Sequence, residues 1–166
     1  MQDKRLLDRP SVRRLRGALA AAGSTATVIE LAETARTAAD AAASLGVERG
    51  AIVKSLVFAV AGRAVMALVA GDRRCDLKAL GRALDLTGKV RRADADLVRA
   101  ATGYSIGGVA PLGHPAPLPL VIDASLGRFT AVYAAAGHPH CVFATSLDEL
   151  HALTGGTVVE GVGVAG

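Results

Sequence analysis

The stretch GAIVKSLVFAV, residues 50–60, alternates as a buried β-strand does, and one residue breaks the pattern. Ile52, Leu56 and Phe58 fall on one face, Val53, Val57 and Ala59 on the other. Lys54 stands where the first face calls for another apolar side chain. Withdrawing an ammonium from water is expensive unless something pairs with it. On the strand alone, the lysine either snorkels from a strand end or meets a structural carboxylate. The run GGVAP supplies a second candidate: Gly107 and Gly108 permit positive φ and close approach, so their N–H groups could face a ligand. A turn that needs glycine explains the same letters. No lysine and Ser/Thr follow as in a P-loop, and no G-x-G-x-x-G opens a helix. In AGHPH, His138 and His140 flank Pro139, but no third metal ligand is suitably spaced and His114 and His151 fit no metal pattern. No metal is expected, and His138 is placed as a pocket-lining residue at a strand-to-loop junction. In GDRRC, Arg73 and Arg74 precede a helix start, a position suited to phosphate contact and equally to a solvated turn. There is no G-x-S-x-G elbow, and neither Cys75 nor Cys141 has an activating base in sequence, so nucleophilic catalysis is not signalled.

The elements that must position these residues follow from local signals. Residues 11–22 form a helix with Ser11 as N-cap and Val12, Leu15, Leu19 and Ala22 at helical spacing. TATVIEL is a short strand. A second helix starts at the Thr37 cap, with Asp40 three residues later, and stops at Gly46. The lysine strand, a turn at Ala61-Gly62-Arg63 and the strand AVMALVA make a hairpin. A helix capped by Asp76, a short strand KVRRA and a helix from Asp94 to Gly103 come next. The Gly- and Pro-rich run 103–119 carries Tyr104, Ile106, Val109 and Leu112, which predicts an ordered loop lining something rather than a linker. LPLVIDASL and FTAVYAAAG are strands with Asp123 to Arg128 turning between them. CVFAT is a further strand, Ser146 and Glu149 form a capping box, and GTVVEGVGV is a last strand. Hairpins among helices favour an α+β fold with a mixed, largely antiparallel sheet.

The 166 residues fit one domain, 1–166, and no run reaches the roughly 18 apolar residues of a membrane span. The opening MQDKRLLDRPSVRRLRG lacks the apolar core of a secretory signal, and two distant cysteines suit reduced thiols, so a soluble cytoplasmic protein is expected. Residues 1–92 hold 17 Lys or Arg against 9 Asp or Glu, while residues 93–166 hold 2 against 6. The first half therefore suits a polyanion, or is simply an arginine-rich surface. With aromatics at 3%, phosphate contact rather than base stacking would be the mode of nucleic-acid binding.

GAIVKSLVF, GDRRCDLKAL, TGYSIGGVAPLGH and YAAAGHPHCVF stand in the order and approximate spacing of the YbaK/EbsC-type aminoacyl-tRNA editing domains. The chain resembles that family, which includes the insertion domain of bacterial prolyl-tRNA synthetase and its free-standing ProXp relatives, over roughly residues 11–160. The resemblance implies a compact barrel-like sheet flanked by helices and a trans-editing deacylase of mischarged tRNA, with no cofactor. Lys54 matches the family's essential lysine, Gly107 through Pro111 its G-x-x-x-P loop, and His138 its pocket histidine. The catalytic set implied is Lys54, Gly107 and Gly108, with Tyr104, Pro111, His138, Arg73 and Arg74 contacting substrate. The lysine would be compensated only when a tRNA 3′ end is bound. The implied partners are the aminoacyl-tRNA 3′ end and prolyl-tRNA synthetase, with no DNA and no membrane. The implied substrate is tRNA(Pro) carrying alanine, cysteine, serine or threonine. The alternative is a non-catalytic tRNA- or synthetase-binding module of the same fold.

Overall fold

The computed structural model describes residues 5–32 and 35–166, so the first four residues of the basic opening segment lie outside it. Pro10 occupies the first turn of helix α1 (Pro10–Ala21), where its fixed φ and missing N–H do no harm. Ser11 is thus inside the helix rather than its cap, and its hydroxyl donates to the Gly137 carbonyl at 2.7 Å. Strand β1 (Val28–Glu30) is shorter than TATVIEL suggests. Helix α2 (Ala38–Leu45) starts at the expected cap, Thr37 accepting from the Asp40 N–H, and ends on Gly46 at φ +68°.

Strands β2 (Ile52–Val60) and β3 (Arg63–Ala70) form the expected hairpin. Its two-residue turn, Ala61 at φ +50° and Gly62 at φ +79°, has the positive dihedrals that suit tightly twisted strands. Strand β4 (Arg73–Cys75) follows, then helix α3 (Leu77–Ala83) under the Asp76 cap, strand β5 (Val90–Arg92) and helix α4 (Ala95–Thr102) under the Asp94 cap. Arg73 and Arg74 are therefore strand residues, not a turn. Strands β6 (Leu120–Asp123), β7 (Val132–His138) and β8 (Cys141–Thr145) lead to helix α5 (Leu147–Thr154). Ser146 caps α5 by accepting from the Glu149 N–H, but the Glu149 carboxylate accepts from Thr145 at 2.6 Å and Ser24 at 3.2 Å, so the box is not reciprocal.

The last strand is two. β9 (Thr157–Val159) lies parallel to β6, and β10 (Gly163–Ala165) turns away at Gly161, φ +82°, to pair with β4. The main sheet runs β1-β8-β7-β2-β3-β6-β9, with β5 also on β2. Its pairs are mixed and mostly antiparallel, and it curls into a half-barrel flanked by the five helices, the α+β architecture expected. One face buries Val12, Leu15, Val53, Tyr104, Ala134 and Phe143 under α1. The other buries Phe58, Val69, Leu80, Val121 and Val162 under α3.

Candidate active site around Lys54 and the glycine loop

β2 has unlike edges. β3 pairs with it from Val53 to Val60. On the other edge β7 pairs only with Ile52 and Val53, and β5 only with Phe58 through Val60. Among the described residues no strand pairs with positions 54–57 on that edge, although the Val57 carbonyl accepts from the Ala93 N–H at 3.3 Å. The sheet therefore has a notch, and Lys54 stands at one lip of it. Its neighbour Ser55, on the opposite face, carries a buried hydroxyl without a hydrogen-bond partner among the described residues.

The Lys54 side chain is half-buried, and its ammonium donates to the Arg73 carbonyl on β4. It is thus partly compensated before substrate arrives, whereas the family resemblance implies compensation only once substrate is bound. Yet that carbonyl carries no net charge, two ammonium protons remain, and Lys54 forms no ion pair among the described residues. The nearby carboxylates are committed elsewhere. Asp72 is held bidentately by Arg128 at 2.8 and 2.9 Å. Asp123, 1% exposed, accepts from the N–H groups of Ala70 at 3.1 Å and Ser125 at 2.9 Å. Burial lowers the Lys54 pKa, Arg49 lowers it further, and Cys75, Asp72 and Asp123 oppose them. Burial first, then the charges of Asp76 and Asp123, push the Cys75 thiol up to about 11, so it is no nucleophile near neutrality.

The glycine loop leaves α4 through Gly103 at φ +77°. Tyr104 is 1% exposed and holds the loop from inside: its hydroxyl donates to the Leu112 carbonyl at 2.7 Å. The Arg14 guanidinium of α1 sits 4.7 Å from the Tyr104 ring centre and donates to the Gly103 carbonyl at 2.5 Å. His114 lies edge-on to the same ring, with Nε2 2.8 Å from the Ala110 carbonyl. Tyr104 was expected to touch substrate; here it faces the core and shapes the loop. Pro111 is likewise buried, whereas Ile106, one of the four apolar residues on which the ordered-loop reading rests, is 63% exposed. Gly107, at φ +99°, sits at the exposed tip. Gly108 packs against β7, where a Cβ would stand 2.9 Å from the His138 Cα, and its N–H donates to the Ser105 carbonyl at 3.0 Å.

β7 joins the two halves of the site. Its register on β8 is irregular between Ala135 and His138; its start pairs with β2 next to Lys54, and its end carries Gly108. His138 at that end accepts the His140 N–H on Nδ1 at 3.0 Å, so Nε2 bears the proton of the neutral ring. Lys54 and Arg73 form one cluster and Gly107, Gly108 and His138 the other. Arg74 is exposed on β4, opposite Val164. Neither of two depressions, of about 280 and 320 Å³, is lined by Lys54, Gly107 or His138: one lies under Pro111, Leu118 and Leu153, the other beside Leu7, Arg16 and Thr27.

Residues 32–153 match the sequence model of the aminoacyl-tRNA editing domain. The chain belongs to that family. The editing domain is 31% identical over 121 residues, 72% of this chain and 73% of its relative, to a protein of Enterococcus faecalis named "Putative Cys-tRNA(Pro)/Cys-tRNA(Cys) deacylase EbsC". It is 32% identical over 104 residues, 63% of this chain, to a proline–tRNA ligase of Solidesulfovibrio magneticus, of which the match spans 18%. A crystal structure described as a "putative trans-editing enzyme for prolyl tRNA synthetase" superposes with a TM-score of 0.85 at 43% identity, covering 91% of this chain and 96% of that one. Among the described residues, no helix of the editing domain is long and apolar enough to cross a membrane.

Two histidines couple the editing domain's stability to pH. Burial, ahead of neighbouring positive charge, lowers both His114 and His138 below the ordinary 6.5. The unfolded chain therefore binds these protons more readily than the folded one. Their contribution is complete above the ordinary histidine range and is lost as pH falls through the folded values. Glutamine at 114 can keep a donor toward Ala110 without titrating. The urea midpoint is expected to fall between about pH 7 and about pH 5, and to fall less in His114→Gln. Equal losses in both proteins would show that His114 does not titrate this way.

Proposed function

We propose that this editing domain is a trans-acting deacylase that hydrolyses the ester of mischarged aminoacyl-tRNA, with tRNA(Pro) carrying alanine, cysteine, serine or threonine as its substrate. The supporting observation is the Lys54 ammonium, which sits in a core strand at a sheet notch, donates to a carbonyl and forms no ion pair among the described residues, the nearby Asp72 and Asp123 being held by other donors. An incoming phosphate, or the negative charge that develops at the tRNA 3′ end during reaction, supplies the counter-charge. In the proposed reaction, water adds to the ester carbonyl carbon, the tetrahedral intermediate collapses, and the bond to the ribose oxygen breaks. The ribose oxygen leaves with the proton that the water gives up.

The 2′-hydroxyl of the terminal adenosine positions the water, as the family resemblance implies. The protein's part is then placement and electrostatics. Lys54 anchors the phosphate-ribose end, and the exposed tip at Gly107 presents its backbone to the carbonyl oxygen. Gly108 serves as the hinge of the loop on β7, its own N–H being taken by Ser105. His138 offers Nε2–H as a neutral donor, and Arg73 flanks the lysine. Such a second sieve answers a limit of binding, since one methylene in an apolar pocket discriminates by only about 1–3 kcal/mol.

The test is a deacylation panel: tRNA(Pro), tRNA(Ala) and tRNA(Thr), each carrying cognate and mismatched small amino acids. Release of alanine, cysteine, serine or threonine from tRNA(Pro), with prolyl-tRNA(Pro) spared, supports the reading. Tight tRNA binding without turnover of any pair would overturn it in favour of a non-catalytic binding module.

A further inference from the structure

The start of α1 is arranged against its own stability. Residues 5–16 contain five arginines and one aspartate, and the first turn of the helix holds no acidic residue. The N-terminal end of a helix carries partial positive charge, so cations there are unfavourable. Arg9 and Arg13, four residues apart, add like-charge repulsion on one helical face. Arg9, as N-cap, supplies no side-chain cap. Both side chains are exposed, and neither forms an ion pair or side-chain hydrogen bond among the described residues. Arg16, three further on and also exposed, extends the same face. A chain that tolerates this arrangement gains most from it when something anionic lies across it.

The position of the face indicates what lies there. α1 packs on β7, and Ser11 ties it to the Gly137 carbonyl, one residue before His138. The charge of Arg9 reaches His138 strongly enough to lower its pKa. From the helix's next turn, Arg14 holds the first residue of the glycine loop. The start of the arginine face thus borders the His138 end of the candidate site, where the body of a macromolecule whose end enters the site can lie.

We propose that the Arg9–Arg13–Arg16 face of α1 is the surface on which the editing domain holds the sugar-phosphate backbone of the acceptor arm of its tRNA. The inference rests on the deacylase reading for the identity of the polyanion. Arg9 and Arg13 contact phosphates, so they contribute affinity that is sequence-independent and sensitive to salt.

The experiment uses Arg9→Gln/Arg13→Gln in the full chain, with Arg63→Gln, on the distant hairpin turn, as a control. Removing like charges from the helix start should leave the thermal midpoint unchanged or higher, and this is checked first. Binding of uncharged tRNA is then measured against salt concentration. The double variant is expected to bind about tenfold or more weakly, with a salt slope smaller by about two, while Arg63→Gln matches the parent. In deacylation, KM for full-length aminoacyl-tRNA should rise with kcat little changed, and hydrolysis of an aminoacyl-adenosine lacking the arm should be unaffected. Unchanged tRNA affinity and slope would overturn the proposal, as would an equal loss on the short substrate. If tRNA affinity and slope stayed unchanged while association with prolyl-tRNA synthetase was lost, the face would belong to a protein partner instead. Uncharged-tRNA binding is independent of turnover, so a parent that binds through this face yet deacylates nothing would sink the deacylase reading and leave the surface standing.

Discussion

Lys54→Met is expected to lose deacylation by about 10²–10³-fold or more while the protein folds as before. Methionine keeps most of the side chain's length and its contacts along β2. What it removes is the ammonium, the group proposed to meet the substrate's negative charge. The stability balance has two opposing parts. The Arg73 carbonyl loses a donor, and the half-buried cation no longer has to be desolvated. The first is unfavourable and the second favourable, so the thermal midpoint near neutrality should move little or rise. The sign of the pH dependence provides a separate check. The folded pKa of Lys54 lies below its ordinary 10.5, chiefly through burial, so the unfolded state binds the proton more readily. The parent therefore gains stability relative to Lys54→Met as pH rises through the folded value toward 10.5. Activity assays and melts at neutral and alkaline pH measure both. A variant that melts far lower at neutral pH, or one that still turns over, would make the lysine structural.

What was legible in the sequence was what neighbouring residues decide among themselves. The caps at Thr37, Asp76, Asp94 and Ser146 are all in place, because a cap involves only the next three residues. The β2–β3 hairpin was equally plain, since its turn and both alternating strands lie within one stretch. Lys54 stood out because a broken period is visible without knowing the partner strand. The second edge of β2 was not visible: its partners start at Val90 and Val132, and nothing local says that their contacts stop short of each other. That unseen gap is the notch at which Lys54 stands. Tyr104 misled for the same reason. An aromatic beside a glycine loop reads as lining, and only Arg14, ninety positions earlier, and Leu112 show that it faces inward. Two signals were present but outweighed. Pro10 marks a helix start better than Ser11 does, and Gly161 divides the final strand.

Gly108→Ala should damage the site more than Gly107→Ala, against the usual reading of positive φ. Gly107 adopts φ +99°, so alanine there carries backbone strain of about 1–2 kcal/mol, but its Cβ would meet only Pro139 Cγ at 3.6 Å, an ordinary contact at an exposed tip. Gly108 is not in the left-handed region; its difficulty is space. A Cβ would stand 2.9 Å from both the Cα and the N of His138 and 3.0 Å from the Gly137 carbonyl carbon. All three are backbone atoms of β7, and Gly137 is itself pinned, since a Cβ on it would meet the Ser11 carbonyl of α1 at 2.7 Å. β7 cannot retreat toward α1, so the loop must lift. Lifting it pulls against the Tyr104–Leu112 bond and the Arg14 clamp at its two ends and moves Gly107 away from the His138 end of β7. Overpacking of this kind costs about 1–3 kcal/mol, and a displaced donor about 10²–10³ in rate. Gly108→Ala is therefore expected to lose about 1–3 kcal/mol of stability, read as a lower melting midpoint, and about 10²–10³-fold in kcat/KM. Gly107→Ala should melt slightly lower and keep more of its activity. Full turnover in a stably folded Gly108→Ala protein would mean that the loop does not have to rest on β7 for the ester to be cleaved.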